Sequence, residues 1–326
     1  MKRSIIPIFI PHLGCPNNCV FCNQRQIACE KEPQPYEVSQ IIESALEYAE
    51  NPQISFYGGS FTAIPRQAML GYLEAAYPFV AAGQCDSIRL STRPDAIDEE
   101  VLDILGRYGV RTIEIGAQSM EDSVLEASGR GHSSSDTQRA SHLIKEHGFE
   151  LILQMMVGLP KSTAEDEKRT AVAISALKPD GVRIYPTCVI ENTPLYEMYK
   201  TGRYKALTVE KSVDICADLL EIFDQNHIPV VRLGLNPTEE LSGGAVKAGA
   251  YHPSLGEMVY SKRFLKKILP LIPRDRPYDI VVQPKMLSVA IGQKKSNLVY
   301  LKSISRLCRI IAEEGLLKPF EIRVKA

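Results

Sequence analysis

The chain runs to 326 residues, 44% hydrophobic and 24% charged, a composition ordinary for a soluble globular protein with room for one large α/β domain and an appendage. Its 38 basic and 39 acidic residues leave a net charge of −1, which excludes a global electrostatic drive toward nucleic acid or an anionic membrane. Its 8 cysteines lack the pairing rhythm of a small secreted disulfide scaffold, and the apolar run near the N-terminus is short and broken by Pro7. No membrane span or signal peptide is therefore expected, and the expected location is cytoplasmic.

The first predicted strand covers residues 5–10, and directly after it comes Cys15-Pro16-Asn17-Asn18-Cys19-Val20-Phe21-Cys22. Three thiols are one fewer than a closed four-iron site requires, and a cluster held by three keeps one iron open for a small molecule. The competing readings are structural zinc, a disulfide pair or free buried thiols. Zinc wants four ligands, usually as two spaced pairs, and the nearby candidates for a fourth are His12 and Cys29.

Further strands are predicted at 54–57, 87–91, 112–116, 151–157 and 181–185, alternating with helices at 36–50, 66–82, 98–108, 134–147 and 164–177. Ser162 or Thr163 is the expected N-cap of the last helix. Six βα units imply a parallel sheet and fall short of the eight that close a full barrel, leaving an open barrel or a doubly wound sheet.

The strand ends carry unusual residues. After the second strand comes Tyr57-Gly58-Gly59-Ser60-Phe61-Thr62, where paired glycines let a ligand approach the backbone. The third ends in Ser91-Thr92-Arg93-Pro94-Asp95, the fourth in Gly116-Ala117-Gln118-Ser119 and the fifth in Gly158-Leu159-Pro160, a turn signal. Arg93 and Asp95 also read as a surface ion pair. Met155 and Met156 are expected to pack in the core.

The cysteine spacing, with an aromatic residue before the last cysteine, resembles the signature of the radical S-adenosylmethionine (SAM) enzymes. The resemblance implies a partial (β/α)6 TIM-type barrel, a 4Fe-4S cluster on Cys15, Cys19 and Cys22, and SAM held by Phe21, Gly58, Gly59, Ser60, Ser91, Arg93 and Gln118. Ser60 stands where many members have glutamate. The segments Thr92-Arg93-Pro94-Asp95 and Ile184-Tyr185-Pro186-Thr187-Cys188 through Tyr196 are similar to the Elongator catalytic-subunit group, which modifies the wobble uridine of tRNA with a fused acetyltransferase domain. This chain departs from that group in having no room for such a domain and only 14 residues before Cys15, so the carboxymethyl-type reaction is not expected of it alone.

Residues 1–205 read as the radical SAM core and 206–326 as a small α+β extension. In the extension a helix is predicted at 209–226, a strand at 230–235, a glycine-punctuated loop at 243–256, strands at 279–282 and 287–291, and a helix at 297–314. His252, Glu257 and Cys188 are the catalytic candidates, with packing as the alternative, and Cys29, seven residues past Cys22, is a further thiol placed to face the cluster chamber or to be buried and inert. Lys294 and Lys295 ahead of a helix are suited to a phosphate or RNA-backbone contact, against a solvated loop capped by Ser296 or Asn297. The expected function is generation of a 5′-deoxyadenosyl radical acting on an unidentified substrate, RNA being the candidate class, with reduced flavodoxin or ferredoxin as electron donor. The alternatives are an enzyme resembling oxygen-independent coproporphyrinogen oxidase, or a non-catalytic iron-sulfur protein.

Overall fold

The computed structural model describes residues 4–10, 15, 19–22, 32–235, 241–273, 277–315 and 320–325. Strands β1 (Ile5–Phe9), β2 (Gln53–Tyr57), β3 (Ser87–Thr92), β4 (Val110–Gln118), β5 (Glu150–Val157) and β6 (Gly181–Pro186) pair in parallel in chain order. Next in the chain, β7 (Cys188–Ile190) leaves the sheet, β8 (Val230–Leu233) returns to it beside β6, and β9 (Val246–Gly249) pairs antiparallel with β7. The result is a seven-stranded parallel sheet curled into a half-barrel with helices around it, the partial barrel expected from the sequence.

The crossovers carry α1 (Pro35–Leu46), α2 (Arg66–Ala81), α3 (Glu99–Arg107), α4 (Asp122–Ala127), α5 (Ser134–Glu146) and α6 (Ala164–Ala176). Side-chain oxygens fix several starts by accepting amide hydrogens that the helix leaves unpaired. Asp98 accepts from Val101, and Ser133 and Thr163 form capping boxes with Asp136 and Asp166. Thr163 rather than Ser162 is thus the cap of α6. Short α4 lacks a repeated apolar period, and the sequence reading passes over it.

Successive strand residues point to opposite faces, and here the two faces differ in kind. Ile54 and Phe56, Ile88 and Leu90, Ile113 and Ile115, and Leu151, Leu153 and Met155 are buried in one core with the helices. Each such side chain contributes about 1.5–3 kcal/mol by leaving water. The alternate positions carry Gln53, Ser55, Tyr57, Arg89, Glu114, Gln154 and Arg183. Their hydrogen bonds run across strands: Gln53 Nε2 donates to Ser87 Oγ and Thr112 Oγ1, both at 3.0 Å, and Thr112 Oγ1 donates to Glu150 at 2.7 Å.

Beyond β7 come α7 (Pro194–Lys200), α8 (Val209–Gln225) and α9 (Leu255–Ile268). The sequence division at 205/206 falls ahead of α8 and β8, and α8 packs in the main core through Val213, Leu219 and Phe223. A second core is built from Phe264, Leu265 and Ile268 of α9 with β10 (Tyr278–Val282), α10 (Leu287–Ile291), α11 (Ser296–Ser303), β11 (Cys308–Ala312) and β12 (Arg323–Lys325). Leu255 and Val259 of the same α9 lie in the first core, so this helix serves both.

The extension differs from its prediction in three places. Residues 287–291 are helical, because a short apolar run fits either period and here Ala290 is buried on the second core, with Gly292 at φ +83° ending the turn. The predicted helix 297–314 stops at Ser303. Ser305 adopts φ +59°, and the run containing Ile310 and Ile311 pairs in parallel with β10. The predicted loop 243–256 contains β9 and the start of α9, the strand being recruited by β7. Neither Ser296 nor Asn297 caps α11. The Asn297 amide instead donates to the carbonyls of Ser261 and Ala290, both at 2.9 Å, tying α9 to α10.

Candidate functional site

The cysteine segment lies where the C-terminal ends of β1 to β4 open, the end at which barrels of this type bind ligands. The Val20 amide donates to the Ser128 carbonyl at 3.0 Å and the Val20 carbonyl accepts from the Leu195 amide at 2.8 Å, so the segment is docked on both sides. Cys15, Cys19 and Cys22 line one cavity of about 250 Å³, Cys19 buried and Cys15 exposed overall. Desolvation and then the nearby Cys19 push the Cys15 thiol up, while Arg93 and Arg130 oppose them. Among the described residues no three His, Cys, Asp or Glu side chains converge as a metal-ligand set.

Phe21, Gly58, Gly59, Ser91, Arg93 and Gln118 line the same cavity. Gly58 has φ +108°, and a Cβ there would lie 3.1 Å from the carbonyl oxygen of Ile10, the residue after β1, so both the conformation and this close backbone approach favour glycine. Ser60 is different. Its hydroxyl lies 2.9 Å from Thr92 Oγ1 and accepts the Arg93 amide at 3.1 Å, and it does not line this cavity. The sequence reading assigned it to the cofactor; its hydroxyl is used in tying the β2 loop to the end of β3.

Arg93 and Asp95 do pair, with Nε to Oδ1 and Nη2 to Oδ2 both at 2.9 Å. Arg93 is only 3% exposed while Asp95 is exposed, so the pair joins a buried guanidinium to a carboxylate at the surface. Arg93 Nη2 also donates to the Arg130 carbonyl at 2.7 Å, while the buried Nη1 has no hydrogen-bond partner among the described residues. A buried guanidinium nitrogen without an acceptor costs free energy that an anionic or carbonyl group of a ligand would recover.

Several cavity residues escape the sequence reading: Tyr57, Glu114, Arg130, Gln154, Arg183 and Tyr185. Glu114 is buried and shared between two guanidiniums, Arg183 Nε at 2.8 Å and Arg89 Nε at 3.4 Å. Arg183 also donates to the hydroxyls of Tyr57 and Tyr185, both at 3.2 Å, and Gln154 donates to Gln118 Oε1 at 3.1 Å. Burial works against the charge on Arg183, but Glu114, Tyr185 and Tyr57 more than offset it and hold the group ionised. The signal was available: parallel strands are usually near-continuous apolar runs, and a polar residue at every second position marks a face that meets something other than core.

Two groups brace the rim. Glu167 accepts from the Gly158 amide and the Ser162 hydroxyl, both at 2.7 Å, and so holds the Gly158-Leu159-Pro160 turn; burial pushes its carboxyl up to about 7. His132 is held neutral, its pKa pushed down to about 4 by burial and then by Arg130. A carbonyl can only accept, so the contact of Nε2 with the Ala117 oxygen at 3.3 Å puts the proton on Nε2.

The proposed catalytic candidates lie elsewhere. His252 Nδ1 accepts the Ser254 amide at 3.0 Å, a local turn ahead of α9, and Glu257 is exposed on the first turn of that helix. Cys188 is buried with Ile190 and Leu241, and burial pushes its thiol up to about 12, which suits packing rather than reactivity. None of the three lines the cavity. Lys294 and Lys295 are exposed in the extension with φ +52° and +62°. Cys29 and His12 lie outside the described residues.

Fold and cavity together define a half-barrel with three thiols at its mouth. A sequence profile of the radical SAM superfamily matches residues 9–173, and one of the radical SAM C-terminal domain matches residues 179–266. The chain belongs to the radical SAM superfamily of enzymes. It is 30% identical over 226 residues to Elongator complex protein 3 of Danio rerio, covering 63% of this chain and 40% of that protein. It is 32% identical over 183 residues to a tRNA uridine(34) acetyltransferase of Methanocaldococcus jannaschii, covering 55% and 33%. The chain thus spans 40% or less of the length of these two relatives. The Elongator protein 3 structure of Methanocaldococcus infernus with residues 1–46 deleted superimposes with a TM-score of 0.64 at 24% identity, over 82% of this chain and 63% of that one, which shows a common fold.

Proposed function

We propose that Cys15, Cys19 and Cys22 hold a 4Fe-4S cluster and that Phe21, Gly58, Gly59, Ser91, Arg93 and Gln118 hold SAM above it. The carrying observation is that three thiols share one cavity with a buried guanidinium nitrogen, Arg93 Nη1, that has no hydrogen-bond partner among the described residues. The donor set fits: three thiolates leave one iron open. When bound, the pair supplies a one-electron reductive cleavage of SAM and hence a 5′-deoxyadenosyl radical able to take hydrogen from a substrate. The protein's part is binding and orientation. Arg93 is suited to the SAM carboxylate through its planar fork, and the backbone of Gly58 and Gly59 to close approach by the amino group.

The substrate meets the polar face below, where Tyr57, Gln154, Arg183 and Tyr185 offer hydrogen-bonding groups and Glu114 balances the Arg183 charge, favouring a polar substrate over an apolar one. An RNA substrate is consistent with this face and with the tRNA-modifying relative, and the electron donor is a reduced flavodoxin or ferredoxin. The test is anaerobic reconstitution with iron and sulfide, then SAM and dithionite, reading 5′-deoxyadenosine. Wild type is expected to produce it and Cys19→Ala is not. SAM bound but uncleaved by reduced wild type would overturn this reading in favour of a non-catalytic iron-sulfur protein.

A further inference from the structure

Arg130 lies in the turn between α4 and α5, 111 residues from Cys19 in sequence, yet its Nη1 donates to Cys19 Sγ at 3.3 Å. Its Nη2 donates to the Gly116 carbonyl at 2.7 Å, at the end of β4. Its own carbonyl accepts from Arg93 Nη2, and Arg93 is held in turn by Asp95. Gly129 and Gly131 on either side adopt φ +65° and +68°, a path that side-chain-bearing residues rarely follow. A Cβ at Gly116 would stand 2.8 Å from Gln118 Nε2 and 3.3 Å from Arg130 Nη2, so the glycine leaves room for both side chains. One residue earlier than this pair of glycines, the Ser128 carbonyl takes the Val20 amide, so the same turn grips the cysteine segment by backbone and by side chain.

Both partners are buried, Arg130 7% and Cys19 6% exposed. A charge-assisted hydrogen bond is stronger there than in water. Hydrogen bonds and positive charge at cluster sulfurs favour the more negative, reduced form, and groups behind the ligands orient them.

Resting on the cluster reading above, we propose that Arg130 is a positioning residue that seats the Cys19 sulfur and raises the reduction potential of the cluster. A merely bracing arginine would change loading or stability without moving that potential. The experiment compares wild type, Arg130→Gln and Arg130→Lys after anaerobic reconstitution, with iron and sulfide counted and the midpoint measured by a redox titration followed by electron paramagnetic resonance. Arg130→Gln is expected to load but to show about a tenfold lower ratio of reduced to oxidised cluster at a fixed potential, about 59 mV for one electron. Arg130→Lys, which keeps the charge, is expected to stay near wild type. An Arg130→Gln protein that loads and titrates like wild type overturns the proposal. Should Arg130→Gln take up no cluster, Arg130→Lys decides: loading at the wild-type midpoint supports the role, and a displaced midpoint or no loading overturns it. A wild-type protein that takes up no iron or sulfide overturns the cluster reading itself, an outcome distinct from variants that load alike.

Discussion

The two faces of the seven-stranded sheet are made by the same strands, one residue apart, and have opposite chemistry. On the helix side Ile54, Phe56, Ile88, Leu90, Ile113 and Ile115 form a dry core. On the other, Glu114 sits between Arg89 and Arg183, with two tyrosine hydroxyls beside them. A buried ionic network adds little net stability once desolvation is counted. The contrast teaches that stability is concentrated on one face, which leaves the other free to carry charge for binding.

Breaking the dry face should have the largest effect on folding. Phe56→Ala removes a fully buried ring stacked on Phe61 at 4.7 Å, and is expected to cost about 3–5 kcal/mol in urea denaturation. An unchanged midpoint would contradict the assignment of this face. On the polar face, Glu114→Gln keeps the shape but deprives two guanidiniums of their shared carboxylate. Its expected cost is about 3 kcal/mol, and the loss should shrink when Arg183→Met is added, a coupling that a double-mutant cycle reads directly.

At the rim between the faces, Glu167 tests pH. Its carboxyl is raised from 4.5 to about 7 in the fold, so the folded state binds the proton more tightly. Its contribution is full below 4.5 and is lost as pH rises through 7. Glu167→Gln keeps an oxygen for Gly158 and Ser162 and should stabilise the protein at pH 8 by up to about 3 kcal/mol, with no difference at pH 4.5. Parallel thermal melting curves for the two proteins across that range would refute the shift. The smallest effect is expected of Ser60→Ala: about 1 kcal/mol from the lost Arg93 amide contact, with SAM affinity within twofold of wild type. A tenfold loss of SAM affinity would return Ser60 to the cofactor.

This contrast also explains what the sequence could tell. The dry face is legible because apolar residues recur with strand and helix periods, and the cysteines are legible because their spacing is local. The polar face was passed over because Arg89, Glu114, Gln154 and Arg183 each look like an isolated surface residue until neighbouring strands bring them together. Arg130 carries no local sign of Cys19 at all; only the two glycines around it hint at a shaped turn. In the extension, residues 287–291 and 297–314 were misread because short apolar runs fit two periods and the second core decides between them.

Helix α9 carries one further consequence. Because Leu255 and Val259 close the first core while Phe264, Leu265 and Ile268 open the second, neither core is complete once this helix frays. The two modules are therefore bound to melt as one cooperative unit, giving a single calorimetric transition whose enthalpy reflects both, and a helix-breaking proline at Tyr260, between the two sets, would be the place to split it in two.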